Sequence, residues 1–166
     1  MKNATDADIG YMRRALEIAT SAEGVQGASP IGCVIVLDGQ IVGEGHNEVG
    51  TRHDPTAHAE MVSIRRACKS LSRDDLRGAT LYSTLQPCGM CSMASIWTSI
   101  GKVVFGAGRD SVHRMYFEDR HMNTIDFIRD AYRDDMSMIG GVLEKECAKL
   151  YYGPDDTPPE EDQTNV

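Results

Sequence analysis

Two short stretches carry residues that can do chemistry together. "TAHAEM" (56–61) places His58 two residues before Glu60, and "QPCGMC" (86–91) places Cys88 and Cys91 three apart. On a helix, residues three apart share a face, so both sulfurs can aim at one point. A helix N-terminus, with unpaired amides and positive potential, favours thiolate over thiol. Zinc(II) accepts two such thiolates and a nitrogen, which His58 supplies. Three protein ligands leave a tetrahedral ion one open position, and catalysis requires one. Glu60 then has a task. A carboxylate just off the metal can take a proton from the attacking water and pass it to a substrate nitrogen, then to a leaving amine.

Each piece also has a plainer reading. His58 alone suits a core, and Glu60 alone a solvated face. A lone CxxC can be a redox pair or half of a structural zinc site. A structural site needs a fourth ligand, yet the chain has no second CxxC, and Cys33, Cys68 and Cys147 stand isolated, as buried small hydrophobes do. A redox pair has no use for His-Ala-Glu. The catalytic reading gives His58, Glu60, Cys88 and Cys91 each a task.

The elements that must position them follow from local patterns. Thr5, three residues ahead of Asp8, caps a helix whose apolar stripe is Ile9, Met12, Leu16 and Ala19 and whose stop is Gly24. "IGCVIVLDGQIVGEGHN" gives two apolar runs around Asp38-Gly39, a β-hairpin with a tight turn. "HDPTAHAEMVSIRRACKSL" reads as helix, with Asp54 or Thr56 as cap, Pro55 in its first turn and His58 close behind. "ATLYSTL" is a strand, Cys88 to Ile100 a helix ended by Gly101, and "KVVFGAG" another strand. Alternating strands and helices imply parallel pairing with helices covering the sheet, plus one antiparallel hairpin at an edge. In such a sheet both helix starts lie at the carboxyl ends of strands, which brings His58, Cys88 and Cys91 together. Residues 109–136 read as mostly polar and helical, "MSMIGGV" as a short strand and "LEKECAKLYY" as a last helix. Trp97, the single tryptophan, reads as core packing.

Composition narrows the class. A chain of 166 residues, 41% hydrophobic, makes one domain with a sizeable core. We assign residues 1–152 to it and 153–166 to an acidic, proline-rich, flexible tail. No apolar run approaches the roughly 20 residues of a membrane span, and "MKNATDADIG" lacks a secretory stretch. Five cysteines without framework spacing fit a reducing, cytoplasmic setting. A formal charge of −8 disfavours broad binding to polyanions, without excluding a local nucleic-acid patch. Arg65, Arg66, Lys69, Arg73 and Arg77 read as the solvated face of a helix.

His-x-Glu followed by Pro-Cys-x-x-Cys is the signature of zinc deaminases, and from the first helix to about Tyr152 the chain resembles the cytidine-deaminase-like superfamily. "GEGHN", "RHDPTAHAE", "TLYSTLQPCGMC" and "KVVFGAG" are similar to the branch of guanine deaminases, tRNA adenosine deaminases and small cytosine deaminases. The resemblance implies an α/β fold, a three-layer α-β-α sandwich around a mixed five-stranded sheet. It also implies a homodimer, one zinc per chain, and hydrolytic replacement of an exocyclic amine by oxygen, with ammonia released. By the same resemblance Asn47 orients the base and Ala57 contributes backbone or room beside the metal. "FED" resembles the "FDD" of guanine deaminases, making Glu118 or Asp119 an acceptor for the N–H edge of guanine, or else a solvated loop charge. His113 and His121 are surface histidines unless they reach the pocket. Tyr151 and Tyr152 either close over a base or pack the last helix.

The expected substrate is a free nucleobase or nucleoside, with guanine to xanthine first. Cytosine or a related aminopyrimidine or aminotriazine is the alternative, and a tRNA wobble adenosine the third. A zinc-stabilised binding protein is the reading outside enzymology; an intact Glu60 speaks against it.

Overall fold

The computed structural model describes residues 4–117, 123, 125–126, 130 and 135–160. Helix α1 (Asp6–Ser21) opens with the Thr5/Asp8 pair: Thr5 Oγ1 accepts the Asp8 amide, and the Asp8 carboxylate accepts the Thr5 amide at 2.9 Å. This is a capping box with Asp in the usual Glu or Gln position. Strands β1 (Ser29–Leu37) and β2 (Gln40–Asn47) form the expected hairpin, with Asp38 and Gly39 both left-handed, as a tight turn of this twist requires.

A single turn, α2 (Val49–Arg52), precedes α3 (Ala59–Leu71). Then come β3 (Thr80–Leu85), α4 (Gly89–Trp97) and β4 (Lys102–Ala107), two 3-10 turns at Arg109–Ser111 and Arg114–Tyr116, β5 (Ser137–Ile139) and α5 (Glu144–Ala148).

The strand order is β2-β1-β3-β4-β5. β1 runs antiparallel to both β2 and β3, while β3, β4 and β5 are parallel. The carboxyl ends of β2, β3 and β4 therefore share one edge of the sheet. Val34, Val36, Tyr82 and Val104 face α1 and α5; their alternates Cys33, Ile35, Leu81 and Val103 face α3 and α4. The result is the mixed five-stranded, three-layer α-β-α sandwich. Close approach on each side depends on a glycine. A Cβ on Gly32 would meet the Ala15 carbonyl of α1 at 2.1 Å, and one on Gly43 the Ser63 carbonyl of α3 at 2.4 Å.

Several local expectations need correction. The antiparallel part is larger than a hairpin, since β1 also pairs antiparallel with β3. Helix α3 starts at Ala59 with His58 as its N-cap, not near Asp54. Asp54 instead closes a turn of its own, accepting both the amide and the hydroxyl of Thr56. Helix α4 stops at Trp97, because Ser99 already turns left-handed two residues before Gly101. Trp97 is 80% exposed, not core. The described part of 109–136 begins with two 3-10 turns rather than a continuous helix, and α5 covers only five residues of "LEKECAKLYY". Of the tail, residues 153–160 are described: the Gly153 amide donates to the Asp156 carboxylate and Pro158 is buried. Arg65, Arg66 and Arg73 each lie beside a carboxylate, as a solvated charged face does. Among the described residues, no helix is long and apolar enough to cross a membrane.

Candidate metal centre and active site

His58 and Cys88 hold equivalent positions. Each is the N-cap of a helix, α3 or α4, with extended backbone, and neither side chain makes a capping bond. Their carbonyls start the helices by accepting the amides of Val62 and Ser92, both at 2.9 Å. With each helix started by backbone alone, neither side chain is spent on capping. Cys91, one turn into α4, is fully buried.

His58 Nδ1 lies 3.7 Å from Cys88 Sγ and 3.8 Å from Cys91 Sγ, and all three ligand atoms fall within 4.8 Å of one another. Zinc bonds of about 2.0 Å to nitrogen and 2.3 Å to sulfur, at tetrahedral angles, space N and S by about 3.5 Å. The donor set and its spacing fit zinc with one corner left open.

The two thiols behave as a coupled pair. The neighbouring Cys91, against the cost of burial and with help from His58, holds Cys88 down at about 4. The Cys88 sulfur, with burial and the nearby Glu60, keeps the proton on Cys91.

Glu60 sits in the first turn of α3 and is 4% exposed. Its Oε2 accepts the Cys91 thiol at 3.5 Å, so it stands beside the ligands without being one of the three. Burial, then the charge on Cys88, push its carboxyl up; His58, its backbone amide and Ser83 oppose this. A raised carboxyl beside an open metal corner is suited to holding and releasing a proton.

His58, Glu60, Cys88 and Asn47 line one cavity of about 670 Å³. Asn47, at the end of β2, is buried, and its Oδ1 accepts the Val49 amide at 3.1 Å. Ala57 does not line the cavity. Its amide donates to the Asp54 carbonyl and its carbonyl accepts the Glu48 amide, so its backbone holds the loop that presents His58. Glu118, Asp119 and His121 lie outside the described residues. His113 serves its own turn, Nδ1 accepting the Met115 amide at 3.2 Å.

The far wall of the cavity was only partly readable in the sequence. It comprises Lys149–Tyr152, with Met115 and Tyr116. Tyr151 is buried, sharing a 2.7 Å hydrogen bond with Thr84, and it borders the cavity. Tyr152 is held by its carbonyl, which accepts the His113 amide at 2.7 Å, and by its amide, which donates to Tyr116 Oη. Ser83, bonded to Glu60, was missed altogether. Its signal was a serine among the apolar inward positions of "TLYSTL".

Residues 5–107 match the family described as the cytidine and deoxycytidylate deaminase zinc-binding region. The tRNA-specific adenosine deaminase of Bacillus subtilis (strain 168) is 38% identical over 146 residues, covering 84% of this chain and 83% of that protein. The guanine deaminase of the same organism is 38% identical over 109 residues, 66% of this chain and 70% of its own. A solved structure from studies of A-to-I editing by tRNA:A34 deaminases superposes with a TM-score of 0.71 at 34% identity, over 85% of this chain and 98% of that one. The His/Cys/Cys group and the sequence matches agree, and the chain belongs to the zinc-dependent cytidine and deoxycytidylate deaminase family.

Proposed function

We propose that the protein deaminates a small nucleobase or nucleoside, with guanine to xanthine as the first reaction to test. The observation that carries this is the cavity wall. The chain's own Lys149–Tyr152 segment, tied to the 113–116 turn and to Thr84, borders the space next to His58 and Glu60. Its volume lies within the roughly 300–1,000 Å³ usual for small-molecule sites. The −8 charge also weighs against a polyanionic substrate.

His58, Cys88 and Cys91 would hold a zinc ion, which when bound would supply the Lewis acidity that makes water a nucleophile at neutral pH. Glu60 takes the proton from that water and delivers it to the ring nitrogen next to the carbon under attack. It then moves the remaining proton of the added hydroxyl to the amine, so that C=O forms as the C–N bond breaks and ammonia leaves. Asn47 has its oxygen committed to Val49, so it offers Nδ2 as a donor to an acceptor on the base. Ala57 acts through the loop it stabilises. Glu118 or Asp119 would accept from the N–H edge of guanine.

A tRNA wobble adenosine is the second reading, favoured by the identity to the B. subtilis enzyme over 84% of the chain. The test compares kcat/KM for guanine, guanosine, cytosine, cytidine, adenosine and an adenosine-34 stem-loop. Turnover led by guanine or guanosine supports the proposal. Turnover of the stem-loop alone, or of cytosine alone, replaces it while keeping the chemistry. Zinc-bound protein that acts on none of them points to a binding protein.

We further propose a cytoplasmic homodimer, with residues 1–152 as the catalytic domain and 153–166 as an appended tail. Trp97, 80% exposed, and Met93, 39% exposed, present an apolar face of α4 suited to a second copy. All five thiols are free, which fits a reducing compartment.

A further inference from the structure

Ser83 is fully buried in β3, paired with Cys33 of β1 on one side and Phe105 of β4 on the other. Strands flank it on both sides, so its place is among the most constrained in the sheet. A buried hydroxyl needs a partner, and this one donates to Glu60 Oε1 at 3.1 Å. The other carboxylate oxygen, Oε2, is then the one that lies 3.5 Å from Cys91 Sγ, on the side of the metal ligands.

The last torsion of a glutamate is soft and roughly two-fold, so the helix alone does not fix how the carboxylate is turned. A proton carrier must keep its oxygen within hydrogen-bond reach of both water and leaving group, and small errors of placement are costly. We propose that Ser83 is a positioning residue that pins Oε1 to the sheet so that Oε2 faces the reacting atoms. The proposal rests on Glu60 being the proton carrier and is independent of which base is the substrate.

Ser83→Thr and Ser83→Val test it as a pair. Both add the same bulk, and only threonine keeps the hydroxyl, so packing costs largely cancel between them. Three quantities are read: kcat and KM on whichever base the wild type turns over, zinc per chain, and the Glu60 carboxylate orientation in crystals of each zinc-loaded variant. Ser83→Thr is expected within about 3-fold of wild type, and Ser83→Val to lose about 10-fold or more in kcat with KM within about 2-fold. Both should hold one zinc. The carboxylate should stay turned toward residue 83 in the threonine variant and rotate, or take two orientations, in the valine variant. Equal kcat in the two variants, or an unmoved carboxylate in Ser83→Val, overturns the proposal. If the added methyl prevents folding, Ser83→Ala is read against wild type by the same criteria. If the wild type acts on no base, the substrate reading fails and the carboxylate orientation alone decides for or against Ser83.

Discussion

At the residue scale the proposed mechanism divides labour between His58, Cys88 and Cys91, placed to hold a metal, and Glu60, which stands beside them. Glu60→Gln separates them. Glutamine keeps the shape and can still accept from Ser83, but it cannot carry a proton. The variant is expected to fold, bind one zinc per chain by metal analysis, and lose about 100- to 10,000-fold in ammonia release. Full activity in that variant would remove Glu60 from the mechanism. His58, Glu60, Cys88 and Cys91 were legible in the sequence because their chemistry depends on residue type and short spacing, which a sequence displays. Ser83 was not, because its role depends on which strand face meets α3. The backbone bonds of Ala57 to Asp54 and Glu48 were not legible either, because they depend on how the loop before α3 folds back.

At the element scale, the fold holds α1 to the sheet through one buried carboxylate. Asp8, 2% exposed, closes the capping box, accepts the Tyr82 hydroxyl at 2.9 Å and pairs with Lys102 Nζ at 2.7 Å. Burial works against its charge, yet Lys102, Thr5 and Tyr82 outweigh burial and hold the carboxyl at about 2. A depressed folded value against an ordinary 3.8 means stability that is present above pH 3.8 and lost as pH falls toward 2. The contribution is about 2 kcal/mol at neutral pH and about half that at pH 3. Urea unfolding of wild type and Asp8→Asn across pH 3–7 checks this. The stability gap should narrow as pH falls; a constant gap would mean that Asp8 acts through packing alone.

The hairpin, the strand–helix alternation and the Thr5 cap were legible because each rests on local propensity or periodicity. The start of α3 was not, because Asp54 and Thr56 are good caps that here cap a turn on each other. Nor was the outward face of Trp97. Helix α4 is apolar on most sides, so its pattern does not reveal which side meets the sheet, and the inward positions belong to Cys91, Ser92 and Ser95.

At the scale of the whole molecule, the proposed dimer would place the exposed Trp97 of α4, the helix that Cys88 caps and Cys91 lies on, against a second copy. In the proposed dimer, Trp97→Asp should convert the protein to a monomer in sedimentation at micromolar concentration, with zinc retained. A wild type that sediments as a monomer would dismiss that interface. The central claim, however, is that this centre is a zinc site and that deamination runs through it. The most direct measurement is ammonia release from the best base on the panel, followed as zinc is added back to chelator-stripped protein. We predict negligible release without metal, a linear rise with bound zinc, and saturation at one zinc per chain. Release that persists in stripped protein, or zinc that binds without His58, Cys88 and Cys91, would contradict the account.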